Sequence, residues 1–286
     1  MSTPRWANRL TWLSIVILSV FVLGSPQASA ADAALEIAIG GVTRHFSRDA
    51  LLARPDATTV EIADDVAYGK AMRFRAIPLA ALLAGFSAPA DSVFETVALD
   101  GFAAQLPLDL VTNTDPANAV ASLAIEPAGA PWPPLPGKTA SAGPFYIVWT
   151  GAAVATVRSE QWPYQVAKID SQPSPAARWP ALGVDPALPA THAVRAGQAL
   201  FVTQCLPCHQ LNGAGSSTVG PDLNKPMNPT EYFTRAALHA LIRDPRSVRV
   251  WPGQIMPGFP ADKMSDREID LVIAYLAHMA ARRTSK

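Results

Sequence analysis

Five consecutive residues carry the clearest chemistry in this chain: Cys205-Leu206-Pro207-Cys208-His209. Two thiols separated by two residues can both face one edge of a planar macrocycle, and a histidine directly after the second can swing its ring beneath a central metal. Cys-x-x-Cys-His is the attachment signature of a c-type haem, in which the thiols add to two vinyl groups and the imidazole reaches the iron. Three other uses compete. A structural disulfide gives His209 no role, and a thioredoxin-like pair belongs at a helix start after a βαβ pattern. A zinc site lacks further thiolates, because these are the only two cysteines. The motif therefore predicts one covalent haem c with His209 as an iron ligand.

A haem of this kind needs a second axial ligand and a helical cage. The methionines beyond the first thirty residues are Met72, Met227, Met256, Met264 and Met279, and the remaining histidines are His45, His192, His239 and His278. Met256 stands out because Gly253-Gln254-Ile255-Met256-Pro257-Gly258-Phe259-Pro260 is an irregular, proline-stiffened loop able to hold a thioether against iron. Met227, in Pro226-Met227-Asn228-Pro229, comes second. A helix is expected over Ala193 to Gln204, another from a Thr230 cap through Arg243 with Pro245 ending it, and a last one from the capping box Ser265-Asp266-Arg267-Glu268 to about Ala281. Ile269, Val272, Ile273, Leu276 and Met279 mark the buried face of that last helix. Arg243, Arg246 and Trp251 are candidate donors to the haem propionates, since guanidinium forks and an indole N–H suit carboxylates.

From about Thr191 onward these motifs occur in the order found in class I c-type cytochromes, and the segment resembles that family over nearly its whole length. The resemblance implies an all-α cytochrome c fold. It implies that Met256, in a Met-Pro-x-Phe segment, is the sixth ligand, and that Pro221, in Gly220-Pro221-Asp222-Leu223, offers its carbonyl to the His209 ring. Such a bond fixes the tautomer and raises the basicity of the imidazole. Leu223 would pack on the porphyrin, and Gly197 and Phe201 would meet Tyr275-Leu276 of the final helix.

The preceding chain has three parts. Residues 1–30 read as a secretory signal peptide: Arg5 and Arg9, an apolar run from Leu10 to Leu23, and Ala28-Ser29-Ala30 as a small-x-small cleavage site. The run is shorter than a spanning helix needs and Gly24-Ser25-Pro26 breaks it, so cleavage and a periplasmic location without a stable membrane anchor are expected. Residues 31–170 alternate short strand and helix patterns, predicting an α+β domain with a mixed sheet. Its plainest feature is a hairpin, Val93–Leu99 and Phe102–Leu106 around Asp100-Gly101. Phe145-Tyr146-Ile147-Val148-Trp149 reads as a strand buried on both faces. Residues 171–191 are proline-rich and predict a stiff, extended linker, leaving 192–286 for the monohaem domain.

Three phrases in the first domain, Ile77-Pro78-Leu79-Ala80-Ala81-Leu82-Leu83, Val97-Ala98-Leu99-Asp100-Gly101-Phe102 and Gly143-Pro144-Phe145-Tyr146-Ile147-Val148-Trp149, resemble the molybdopterin-binding domain of the sulfite oxidase family. Those enzymes hold molybdenum through a protein cysteine, and residues 31–170 contain none. The resemblance therefore implies the fold without a metal ligand, so molybdopterin is not expected there, and the domain reads as a docking module for a redox partner protein.

Lys plus Arg equals Asp plus Glu at 23 each, and removing residues 1–30 leaves 21 basic against 23 acidic groups. There is no basic surplus to favour nucleic acid. The reading that emerges is a periplasmic electron carrier with no catalytic residue of its own. A molybdenum enzyme with its own haem relay and a haem-based sensor are the alternatives.

Overall fold

The computed structural model describes residues 33–284, so the expected signal segment lies outside the described residues. Among the described residues, 34–173 form nine strands, and they fall into two sheets. One is five-stranded, built from β1 (Ala34–Ile39), β2 (Val42–Ser47), β5 (Ser92–Ala98), β6 (Ala103–Pro107) and β9 (Val166–Pro173) in the order β2-β1-β9-β5-β6. It is mixed, because β1 runs parallel to β9 while every other neighbour is antiparallel. The other sheet is antiparallel: β3 (Thr58–Asp65), β4 (Lys70–Pro78), β7 (Val120–Ile125) and β8 (Phe145–Thr150).

Both sheets share one hydrophobic core that includes Leu35, Ile37, Phe74, Leu106, Leu123 and Ile169. The strand β8 lies at a sheet edge and yet is buried from Phe145 to Trp149. Its outer flank is covered by residues 163–165, where Ile147 donates its N–H to the Pro163 carbonyl. The helical share is smaller than an α+β reading suggests. Three five-residue helices, α1 (Arg48–Leu52), α2 (Leu79–Leu83) and α3 (Leu108–Thr112), decorate what is mainly a β domain.

The extended linker is not seen. Strand β9 takes residues up to Pro173, Ser174 then caps the short helix α4 (Pro175–Arg178), and a 3-10 turn follows at Pro180–Leu182. Leu182 and Val184 are buried in the core of the second domain, with Trp179 and Leu188 packed against it. Apolar side chains interleaved with the prolines turn the segment back onto a surface it can cover, and burying them outweighs the polyproline preference.

The second domain is helical: α5 (Ala193–Gln204), α6 (Pro229–Tyr232), α7 (Arg235–Arg243), α8 (Pro245–Val248) and α9 (Asp266–Ala280). The single helix expected from Thr230 to Arg243 is two. Asn228, not Thr230, caps α6 in a capping box with Glu231, and Thr234 accepts from the Ala237 N–H to start α7 afresh. Two cap-competent side chains within seven residues break the chain where the apolar period alone reads as continuous.

Helices α5 and α9 cross closely. A Cβ on Gly197 would fall 2.1 Å from the Leu271 carbonyl oxygen and 2.9 Å from the Tyr275 Cβ. Glycine thus permits a contact that any larger residue would force apart, and this offsets its poor helix propensity of about 1 kcal/mol. Phe201 stacks against Tyr275 at 5.3 Å between ring centres, and the Tyr275 hydroxyl donates to the Leu182 carbonyl at 2.7 Å. Among the described residues no helix is long and apolar enough to cross a membrane.

Candidate haem site

The Cys-x-x-Cys-His motif begins where α5 ends. The Cys205 N–H closes the helix on the Phe201 carbonyl, and the His209 N–H bonds the Cys205 carbonyl at 2.8 Å, winding the motif into a compact turn. Both cysteines are free thiols, half-buried side by side in that turn. Burial is the main reason the Cys208 thiol is pushed up to about 12, with the carboxylates of Glu160 and Asp100 adding to it. Burial and Glu160 also push the Cys205 thiol upward. A thioredoxin-like pair needs the opposite, a thiol lowered toward neutrality to act as nucleophile. Among the described residues no group of three or more His, Cys, Asp or Glu side chains could hold a metal ion, so the zinc reading finds no further ligands.

His209 is held in one tautomer. Its Nδ1 lies 2.9 Å from the Pro221 carbonyl oxygen, which can only accept, so the proton sits on Nδ1 and the Nε2 lone pair is left for a metal. Burial lowers the imidazole's affinity for a proton, while the Pro221 bond works in the other direction. Gly220 makes the approach possible, since a Cβ there would come within 2.5 Å of the ring. The Pro221 role implied by the cytochrome resemblance is thus present in the geometry.

Three asparagines that the sequence reading passed over secure this loop. Asn224 donates to the Asn212 side chain at 2.9 Å and to the Met279 carbonyl at 2.7 Å. Asn228 donates to the Asn224 side chain at 2.9 Å and to the Leu276 carbonyl at 3.0 Å. Asp222 adds bonds from the Asn212 and Asn224 backbone N–H groups. This buried ladder ties the loop after the histidine to the C-terminal half of α9. Only the clustering of Asn and Asp in an apolar, proline-rich stretch hinted at it.

The loop carrying Met256 is anchored by its downstream half. Phe259 donates its N–H to the Ile242 carbonyl at 3.1 Å, and Gly258 lies so near the Arg243 carbonyl that a Cβ would sit 2.6 Å from it. Arg243 has partners within the protein. Its guanidinium donates to the carbonyls of Phe259 and Met264 and to the Asp266 carboxylate, so it clamps the loop that follows Met256. Planar donors facing three acceptors in one small volume make that the tighter arrangement. Arg246 of α8 and Trp251 beyond it are exposed, and Leu223 is half-buried against the cluster that contains Phe201 and Tyr275.

Met256 is half-buried, and its neighbours Ile255 and Pro257 border a cavity of about 460 Å³ that Cys208 also borders. The other candidate ligands are placed otherwise. Met264 and Met279 are in apolar clusters at 1% exposure, and Met72 packs in the β core. His192 caps α5, His278 accepts from the Asp185 N–H, and His239 lies 3.5 Å from Asp266. Met227 is exposed beside the Asn228 cap.

The β domain reaches the motif itself. The hairpin of β5 and β6 turns through a four-residue loop, Leu99–Phe102, longer than the two-residue turn expected, with Gly101 at φ +89° and Asp100 accepting from the Phe102 N–H. From the start of β6 the Ala103 N–H donates to the Pro207 carbonyl at 2.9 Å, inside the Cys-x-x-Cys-His turn. The Ser217 hydroxyl donates to the Gly101 carbonyl at 2.9 Å. Beneath the hairpin the buried carboxylate of Glu95 accepts from Gln105, from Arg178 of α4 and from Ser216 of the histidine loop, at 2.6 to 2.8 Å.

Two thiols, a histidine with its Nε2 available and a cavity bordered by Cys208 are compatible with covalent haem, so the residues fit the group. The family model described as Cytochrome c matches residues 194–280. Comparison with curated proteins finds no match to the chain. Residues 194–280 are accordingly a cytochrome c domain, whose two thiols and following histidine imply covalent haem c.

Proposed function

We propose that this chain is a periplasmic monohaem c-type cytochrome carrying electrons to or from an oxidoreductase partner. In this reading Cys205 and Cys208 hold the haem, His209 and Met256 take its axial positions, and the β domain serves in docking. The observation that carries it is the His209 ring, locked by Pro221 with Nε2 free and adjacent to two unpaired thiols. Met256 is favoured because the other candidates are capped, packed away or exposed, while its own flanking residues border the cavity beside Cys208. Bound haem would supply a one-electron couple, and with His209 and Met256 both holding the iron the chemistry it would supply is electron transfer.

The protein's own part is positional. Pro221 fixes the imidazole, the Arg243 clamp and Gly258 fix the methionine loop, and the asparagine ladder holds the two halves in register. The signal-like pattern of residues 1–30, Arg5 and Arg9 followed by an apolar run and Ala28-Ser29-Ala30, supports the periplasm, the compartment where covalent haem attachment takes place in bacteria. The phrases shared with the molybdopterin-binding domain of the sulfite oxidase family support descent of the β domain from an enzyme, retained without its metal-binding cysteine.

The test is optical and electrochemical. Purified protein should show a c-type α band on reduction, and its absence would end the reading. Met256→His should lower the midpoint potential, because methionine favours the ferrous state more than histidine does, and an unchanged value would remove Met256 as ligand. Molybdenum at about one per chain in the purified protein would replace docking by catalysis as the role of the β domain.

A further inference from the structure

We propose that the β domain forms one wall of the haem pocket, so that Lys138 and Glu160, residues outside the cytochrome c segment, tune the haem in opposite directions. This rests on the haem reading above and adds to it a second set of residues contributed by the other domain.

The cavity of about 460 Å³ beside Cys208 lies between the domains. Cys208, Val219, Pro257 and Phe259 border it from the helical side, and Phe102, Lys138, Glu160, Trp162 and Tyr164 from the β side. The domains are not loosely apposed there. The Ala103-to-Pro207 bond grips the attachment turn from within, and Ser217 bonds to Gly101 at the hairpin tip. Gln204 donates to Ser159 at 3.4 Å, and Arg158 pairs with Glu268 at 2.6 Å. A thioether at Cys208 would place the adjoining porphyrin edge at this cavity, facing the β domain and not open water.

A charge fixed beside a haem acts on its electron affinity, and it acts more strongly where water is excluded. Lys138 donates to the Tyr164 hydroxyl at 2.6 Å and so is held at the rim. Its positive charge stabilises the reduced, less positive centre. Glu160 follows Ser159 in a short 3-10 turn and faces the space between the domains, where an ionised carboxylate stabilises the oxidised centre. The other charged groups bordering the space are Asp100 from the β hairpin and Lys263 from the loop before α9. Burial raises the Glu160 carboxyl to about 7, so at pH 8 it is predominantly ionised.

The experiment is an equilibrium redox titration at pH 8 of the full-length holoprotein and of Lys138→Met, Glu160→Gln and Asp49→Asn, the last an exposed acid on α1 away from the cavity. Lys138→Met should lower the potential and Glu160→Gln raise it, with the glutamate change approaching about a tenfold change in the ferrous-to-ferric ratio at fixed ambient potential. The lysine change should be smaller, because its side chain is exposed. Asp49→Asn should leave the value in place. A merely structural loss at either site would not produce shifts of opposite sign. Haem present with all potentials coincident overturns the wall but leaves the electron carrier standing, whereas protein without covalent haem overturns both. Should Glu160→Gln fail to fold, the exposed Lys138→Met still decides, since an unmoved potential there counts against the wall.

Discussion

The two halves of this molecule close their cores in different ways. The β domain gathers residues from both sheets into one continuous apolar cluster. The helical domain has two separate clusters instead. One lies around Phe201 and Tyr275 where α5 crosses α9, and the other lies around Leu238, Ile242 and Phe259 under α7. Cys208, Ile255 and Pro257 border the interdomain cavity, and none of the three belongs to either cluster. The difference is that the second domain joins its parts through polar side chains, the asparagine ladder and the Arg243 clamp, and not through one continuous apolar cluster.

The largest effect should come from removing the haem attachment. In Cys205→Ser/Cys208→Ser the covalent haem should be lost, as read by haem staining after denaturing electrophoresis. Thermal unfolding followed by circular dichroism should then show the helical half melting early while the β signal keeps its transition. Simultaneous collapse of both halves would break the comparison, since it would make the β core dependent on the haem.

Next comes Glu95, the buried carboxylate that joins β6, α4 and the histidine loop. Glu95→Ala leaves the Arg178 guanidinium without its buried partner and should cost about 3 kcal/mol in denaturant unfolding. An effect under about 1 kcal/mol would mean that the three partners are satisfied by water and the domains are less firmly joined than their contacts suggest.

Glu160 should make stability depend on pH. Burial holds its carboxyl at about 7 in the folded chain against 4.5 when unexposed to such an environment. The folded state therefore keeps its proton when the unfolded state has lost it, and stability falls as pH rises from about 4.5 through about 7. Discounted for its partly open position, the loss should be about 1 to 2 kcal/mol. Glu160→Gln should flatten that slope, and a slope unchanged by the substitution would assign it to another group.

The smallest effect is expected at the Arg158 and Glu268 pair, which links the 3-10 turn of the β domain to the start of α9. Arg158→Ala should cost about 0.5 kcal/mol, because both side chains remain partly in water. A cost several times larger would promote this pair to a principal clasp between the domains.

Much of the haem site was legible before any coordinates. Cys205, Cys208 and His209 are adjacent in the chain, so their chemistry is set by local spacing, and Gly220-Pro221 lies within reach of the histidine through a short loop. The capping box at Ser265 likewise formed where the local pattern placed it. The partners of Arg243 are not legible in the sequence because its residue type allows several acceptors, and only the folded path of residues 259–266 shows which are near. The helix break at Phe233 depended on two caps competing with an unbroken apolar period. The proline-rich segment was read from its backbone preference, while the burial of Leu182 and Val184 against α5 and α9 decided its shape.

What the sequence by itself determined is therefore the short-range chemistry: one attachment motif, one histidine, a stiff methionine loop and a β region followed by helices. Their physical basis is covalent spacing and local hydrogen bonding, which require no distant partner. The tertiary structure alone decided that a hairpin more than one hundred residues upstream grips the attachment turn at Pro207. It alone set Lys138 and Glu160 beside the same cavity as Cys208. Such contacts arise from the packing of two cores against each other, and no periodicity within either segment encodes the register in which those surfaces meet.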